Sequence, residues 1–259
     1  MRFSLRNFSL EAVTHLGNTK IREISAFGED RLLFAETASI SRKKVARISW
    51  FDLKTGRAQA LYSGVQARYI ARADTMVYDD GNRLYAITQA NGTETTSEVL
   101  SHKRHQLSAM LEVSNGRLLL EIVEDGQALI QSYHAEDDTL TRLDRLASVC
   151  RLKGAVWMED LQQLACTERS GGNAKREDGY IFADLDGQTL SRPSLPPGEK
   201  LLALTYVRDQ GLLILNQTGR NPIDGRERSA VWVHDVRSGE NHEISDTLDL
   251  GSSVVYSVR

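Results

Sequence analysis

Short apolar runs recur along the chain, each of strand length and each bounded by turn residues. Examples are Arg31-Leu32-Leu33-Phe34-Ala35, Val45-Ala46-Arg47-Ile48-Ser49-Trp50-Phe51 and Arg117-Leu118-Leu119-Leu120-Glu121-Ile122. Two more are Gly211-Leu212-Leu213-Ile214-Leu215 and Ala230-Val231-Trp232-Val233. A helix this apolar would continue for ten or more residues, and helical periodicity is scarce. Asp80-Gly81, Asn91-Gly92, Asn115-Gly116, Asp125-Gly126 and Asp186-Gly187 punctuate the runs. Such pairs tolerate the positive φ angles that tight hairpin turns need. The pattern predicts an all-β chain made of hairpins.

One unit repeats. An apolar strand ends in a polar turn, and a more polar strand follows. It reads Trp50-Phe51-Asp52-Leu53-Lys54-Thr55-Gly56 and again Val233-His234-Asp235-Val236-Arg237-Ser238-Gly239. Phe182-Ala183-Asp184-Leu185-Asp186-Gly187 is a looser copy, and weaker ones centre on Asn7, Asn91 and Ala135. Successive centres lie 39–51 residues apart. Four strands at that period predict a β-propeller of about six blades.

The blades expected are 19–64, 66–101, 106–146, 151–195 and 199–246, closed by 250–259 together with 1–17. In that closing blade, Ser253–Arg259 would be the inner strand, and Arg2–Arg6 with Phe8–Leu16 the outer hairpin. A strand there could be missing. Residues 1–259 would form a single domain, with a β-sandwich as the rival architecture. The apolar-Asp-x-x-Thr/Ser-Gly turn resembles the end of a blade in WD40-like, TolB-like and quinoprotein-like propellers, where it joins the third and fourth strands. The Gly-His opening and Trp-Asp ending of true WD40 repeats are missing, so the resemblance reaches the superfamily and no particular family.

Composition changes this picture little. Apolar residues make up 41% of the 259, enough for a sizeable core, and the 4 prolines form no linker. Net charge is −3, too near neutral for a general nucleic-acid binder. No run approaches the roughly 18 apolar residues of a membrane span. Arg6, Asn7 and Glu11 interrupt what would be the apolar stretch of a signal peptide. The expected setting is therefore cytoplasmic, with neither membrane nor nucleic acid as partner. Cys166 lies in an apolar strand-like run, which reads as a buried free thiol. A disulfide to Cys150 stays open.

Local charge is more informative. In a propeller, loops joining second to third strands, and loops joining blades, crowd one face. Those loops carry Arg42, Lys43 and Lys44, then Lys103 and Arg104, then Lys175 and Arg176, then Arg220, Arg226 and Arg228. Arg151 and Lys153 occupy a further inter-blade segment. A basic rim of this kind steers acidic or phosphate-bearing partners toward it. Long polar loops are often charged without binding anything, and Glu177, Asp178, Asp224 and Glu227 dilute the effect.

Catalytic signatures are lacking in the sequence. There is no Gly-x-Ser-x-Gly elbow and no phosphate-cradling Gly-rich loop followed by Lys and Ser/Thr. His102 and His105 lack a third metal ligand. His134 with Glu136, Asp137 and Asp138 reads as a turn cluster, and His234-Asp235 as a strand-end pair. No catalytic residue, metal or cofactor is expected.

The favoured function is a non-enzymatic interaction module whose basic loops take an acidic protein or another anionic partner. A carbohydrate-active propeller, lectin or hydrolase, is the first alternative. It would need two facing carboxylates among Glu36, Asp79, Glu121, Glu159, Asp160 and Asp209. It would also need sugar-stacking aromatics among Tyr62, Tyr69, Tyr78, Tyr85, Trp157 and Tyr206. A structural or assembly role is the second alternative.

Overall fold

The computed structural model describes residues 2–4, 9–11, 20–28, 30–40, 43–90, 93–101, 105–114, 116–169, 179–194, 200–220 and 227–244. A short hairpin comes first, β1 (Arg2–Ser4) paired antiparallel with β2 (Ser9–Glu11). The rest is five sheets of four strands, each a meander in chain order.

The first sheet is β3 (Lys20–Ala26), β4 (Arg31–Ile40), β5 (Lys43–Asp52) and β6 (Ala58–Ser63). The second is β7 (Gln66–Ile70), β8 (Thr75–Asp79), β9 (Arg83–Ala90) and β10 (Thr93–Ser101). The third is β11 (His105–Val113), β12 (Arg117–Glu124), β13 (Gln127–His134) and β14 (Thr139–Arg142). A short helix, α1 (Asp144–Val149), leads into the fourth. That sheet holds β15 (Cys150–Met158), β16 (Gln163–Glu168), β17 (Tyr180–Ala183) and β18 (Thr189–Ser191). The fifth holds β19 (Lys200–Val207), β20 (Leu212–Arg220), β21 (Glu227–Asp235) and β22 (Asn241–Glu243).

The chain forms two compact units, one holding the first two sheets and one the other three. The all-β expectation holds, but the described residues form five blade-like sheets where about six were expected. Around the weak repeat at Asn7 the described residues form a two-stranded hairpin. Residues 250–259, expected to complete the closing blade, lie outside the described residues.

The repeated turn joins third to fourth strands. Asp52 Oδ1 accepts the amides of Lys54 (2.9 Å) and Thr55 (2.7 Å) between β5 and β6. Asp235 does the same for Arg237 (2.8 Å) and Ser238 (3.1 Å) between β21 and β22. In the fourth sheet Asp184 accepts the Gln188 amide at 2.8 Å. The Thr55 and Ser238 amides are the chief reason that the Asp52 and Asp235 carboxyls sit below the usual carboxylate range.

A second repeat lies in the middle of the sheets. Each second strand carries three mostly apolar residues followed by a polar one. The series is Leu33-Phe34-Ala35-Glu36, Met76-Val77-Tyr78-Asp79, Leu118-Leu119-Leu120-Glu121, Leu164-Ala165-Cys166-Thr167 and Leu213-Ile214-Leu215-Asn216. Glu36, Asp79, Glu121 and Asn216 are all buried. The apolar members build the cores; Leu119 packs with Ile130, Leu146, Trp157, Leu164 and Ile181.

One glycine is fixed by close approach. Gly187 has φ +79°, and a Cβ there would stand 2.4 Å from the Leu146 nitrogen and 2.5 Å from the Arg145 carbonyl carbon of α1. Backbone cannot step aside as a side chain can. Gly187→Ala is expected to cost roughly 1–3 kcal/mol, through strain at positive φ and overpacking. Urea unfolding checks this, with Gly126→Ala as the comparison: Gly126 has similar φ but open space around it.

Candidate functional site

Lys43, Lys44, Arg220 and Arg228, expected in loops, lie instead within strands. Lys43 and Lys44 open β5, opposite Ile40 and Ser39. Arg220 ends β20 opposite Glu227, and Arg228 pairs with Gly219. Arg42, Lys103, Arg104, Lys175, Arg176 and Arg226 lie outside the described residues, as does His102. The β4–β5 pairing runs out to Ile40 and Lys43, and the β20–β21 pairing to Arg220 and Glu227.

The strongest polar constellation centres on Glu121, 4% exposed on β12. Its Oε2 accepts the amides of Leu152 (3.1 Å) and Lys153 (3.3 Å) on β15, and its Oε1 accepts from Arg169 Nη2 at 2.5 Å. Arg169 also donates to the Cys150 carbonyl at 3.3 Å. The β15 amides are available because the ladder to β16 breaks between Arg151 and Val156, around Gly154 at φ +74°. Glu121 thus supplies, from the neighbouring sheet, the acceptor that the bulge removes. Strand spacing gave no signal for this, since 31 residues separate Glu121 from Leu152.

The cysteines are joined. Cys150 and Cys166 form a disulfide across β15 and β16, with Cα atoms 5.9 Å apart. This corrects the free-thiol expectation. Cys150 opens β15 opposite Glu168, so Cys166, two residues earlier on β16, is its diagonal neighbour. Both are fully buried in the core that contains Trp157 and Leu119.

The other carboxylates are engaged separately. Glu36 pairs with Arg47 and accepts from Ser49 Oγ at 3.0 Å. Asp79 Oδ1 accepts the Gly81 amide at 2.6 Å. Glu159 lies 3.8 Å from Arg208. Asp160 accepts from the Tyr206 hydroxyl at 3.1 Å, and burial together with that bond pushes the Tyr206 phenol up to about 12. Asp209 lies in a single 3₁₀ turn. Among the described residues, no group of three His, Cys, Asp or Glu side chains could hold a metal ion. Nor is any helix long and apolar enough to cross a membrane.

Most of the aromatics are spent on packing. Tyr62, Tyr78 and Tyr85 stack in series, with ring centroids 4.9 Å and 5.2 Å apart. Tyr69 meets Phe27 edge-on, and Trp157 is buried. His234, read as a strand-end residue, is buried; its Nδ1 lies 2.9 Å from Asn241 Oδ1, and Asn241 donates to the Ser194 carbonyl.

No protein-family model and no curated protein sequence matches the chain. Solved structures do. The β-propeller domain of the Trilobed protease from Pyrococcus furiosus, described as having an open velcro topology, superposes with a TM-score of 0.56 at 11% identity, over 89% of this chain and 72% of that one. The fold is a β-propeller. A chain of the nidogen/laminin complex matches this propeller with TM-score 0.59 and 13% identity, over 89% and 81% of the two chains. TolB from Acinetobacter baumannii matches with TM-score 0.59 and 15% identity, over 83% of this chain and 52% of TolB. The propeller thus spans most of the first two matched chains but about half of TolB. At these identities the likeness speaks for the fold alone.

Proposed function

We propose that the propeller is a non-enzymatic interaction module that takes an acidic protein segment on its basic hairpin ends. The observation that carries this reading is the placement of Lys43 and Lys44 at the end of the β4–β5 hairpin and of Arg220 and Arg228 at the end of the β20–β21 hairpin. Arg42, Lys103, Arg104, Lys175, Arg176 and Arg226 neighbour them in sequence. A hairpin end bearing basic residues offers both backbone and charge to a partner, and charge speeds encounter more than it tightens the final complex. One of the similar structures supports an interaction role by analogy, since it was solved within a complex of two proteins.

A fluorescein-labelled poly-glutamate peptide provides the test. Arg42→Glu with Lys43→Glu and Lys44→Glu, and separately Arg226→Glu with Arg228→Glu, should weaken its binding roughly tenfold each. They should also flatten its dependence on salt. Unchanged affinity in both variants would remove the basic hairpins from the function.

A further inference from the structure

We propose that the open edge of β10 is a strand-addition site for an extended segment of a partner protein bearing two basic residues four positions apart. β10 is the last strand of its sheet and, among the described residues, pairs only with β9. It runs for nine residues. The last strands of the other sheets have six, four, three and three. An edge strand displays a row of unpaired amides and carbonyls, and proteins blunt such edges with shortness, proline, charge or bulges. Thr93–Ser101 is long and free of proline and lysine; its charges are Glu94 and Glu98, and its register shift comes only after Glu98. Its register with β9 is regular from Thr93 to Glu98 and shifts only between Glu98 and Leu100. Six regular residues make a template about 20 Å long.

The side chains on this edge specify the occupant. Glu94, Thr95, Thr96 and Glu98 are exposed. Alternation along the strand puts Glu94, Thr96 and Glu98 on one side and Thr95 and Ser97 on the other. Glu98 meets Arg83 of β9 at 3.0 Å, both about 41% exposed, and Glu94 accepts from the Tyr62 hydroxyl at 3.2 Å. Each carboxylate has lone-pair positions beyond those contacts, and an exposed pair such as Arg83–Glu98 is readily shared.

A second copy of this chain fits poorly. A two-fold antiparallel pairing centred on Thr96 sets Glu94 opposite Glu98 twice, and like charges directly opposite destabilise a sheet. A strand with Lys or Arg at positions i and i+4 places a cation at each carboxylate while its backbone completes the ladder. This site is opposite in charge to the basic hairpins and stands independently of them.

The probe is an N-acetylated, fluorescein-labelled heptapeptide, Thr-Lys-Val-Thr-Val-Lys-Thr, added to the full chain. Saturable binding is expected, with amide hydrogen exchange slowed at Thr93–Glu98. Glu94→Lys with Glu98→Lys should weaken it roughly tenfold or more. Methylating alternate peptide amides, which keeps the charge but removes backbone donors, should abolish binding without altering the protein. The proposal is overturned if the peptide does not bind, if the methylated peptide binds equally, or if protection appears elsewhere. It is also overturned if sedimentation shows a dimer that the charge-reversed variant dissolves.

Discussion

Replacing Glu121 by Ala is expected to remove about 3–5 kcal/mol of stability, the range for breaking a buried ion pair by taking away one partner. Three donors converge on this carboxylate: the Leu152 and Lys153 amides and the Arg169 guanidinium. Truncation leaves two amides at a bulge without their acceptor and a guanidinium only 24% exposed without its counter-ion. Urea unfolding monitored by tryptophan fluorescence measures the loss. Glu121→Gln keeps one oxygen for the amides and should lose less. Arg169→Met added to Glu121→Ala should restore part of the deficit, because no uncompensated charge then remains. A loss below about 1 kcal/mol for Glu121→Ala would show that the pair merely decorates the sheet.

Removing the disulfide should have an effect nearly as large. Cys150 and Cys166 are 16 residues apart, and closing a loop of that length is worth about 3 kcal/mol on the chain-entropy account. Cys150→Ala with Cys166→Ala is therefore expected to lower the unfolding free energy by about that amount. Mass spectrometry after alkylation under denaturing, non-reducing conditions should find no modified cysteine in the wild type and two after reduction. Two free thiols before reduction would refute the bridge. Disulfides persist in oxidising compartments and are rare where glutathione keeps thiols reduced. The bridge and the cytoplasmic expectation therefore pull in opposite directions, and alkylation of protein taken from its native source decides between them. The two sites share Cys150, whose carbonyl accepts from Arg169, so their losses should not add.

The sequence carried the hairpin grammar. Asp52, Asp184 and Asp235 were legible because an acidic side chain capping one or two amides, two to four residues on, leaves a short, local signature. Period and strand length followed from those turns. The blade signature was faint around Asn7, where a lone Asn beside Arg6 lacks the acidic cap of the stronger copies. The links between strands distant in sequence were not legible. Glu121 looked like one of six scattered acids, and only the bulge at Gly154 makes the Leu152 and Lys153 amides its partners. Cys150 and Cys166 became diagonal neighbours through the β15–β16 register, which composition does not encode. Lys43, Lys44, Arg220 and Arg228, read from the sequence as loop residues, lie within strands, because the β4–β5 and β20–β21 pairings continue past the apolar runs that mark those strands in the sequence.

The polar residue that ends the apolar run of each second strand has a consequence for assembly order. Five similar four-stranded repeats in one polypeptide invite mispairing during folding, when a sheet can dock on the wrong neighbour. The recurring position answers differently each time. Glu36 turns to Arg47 and Ser49 within its own sheet, Asp79 to the amide of Gly81, and Glu121 to the next sheet along. Among these, Glu121 draws its partners from the neighbouring sheet, so the third repeat seated beside the wrong neighbour would bury that carboxylate without its match, at a cost far above that of a misplaced leucine. The apolar residues make the repeats cohere; Glu121 makes the third one non-interchangeable.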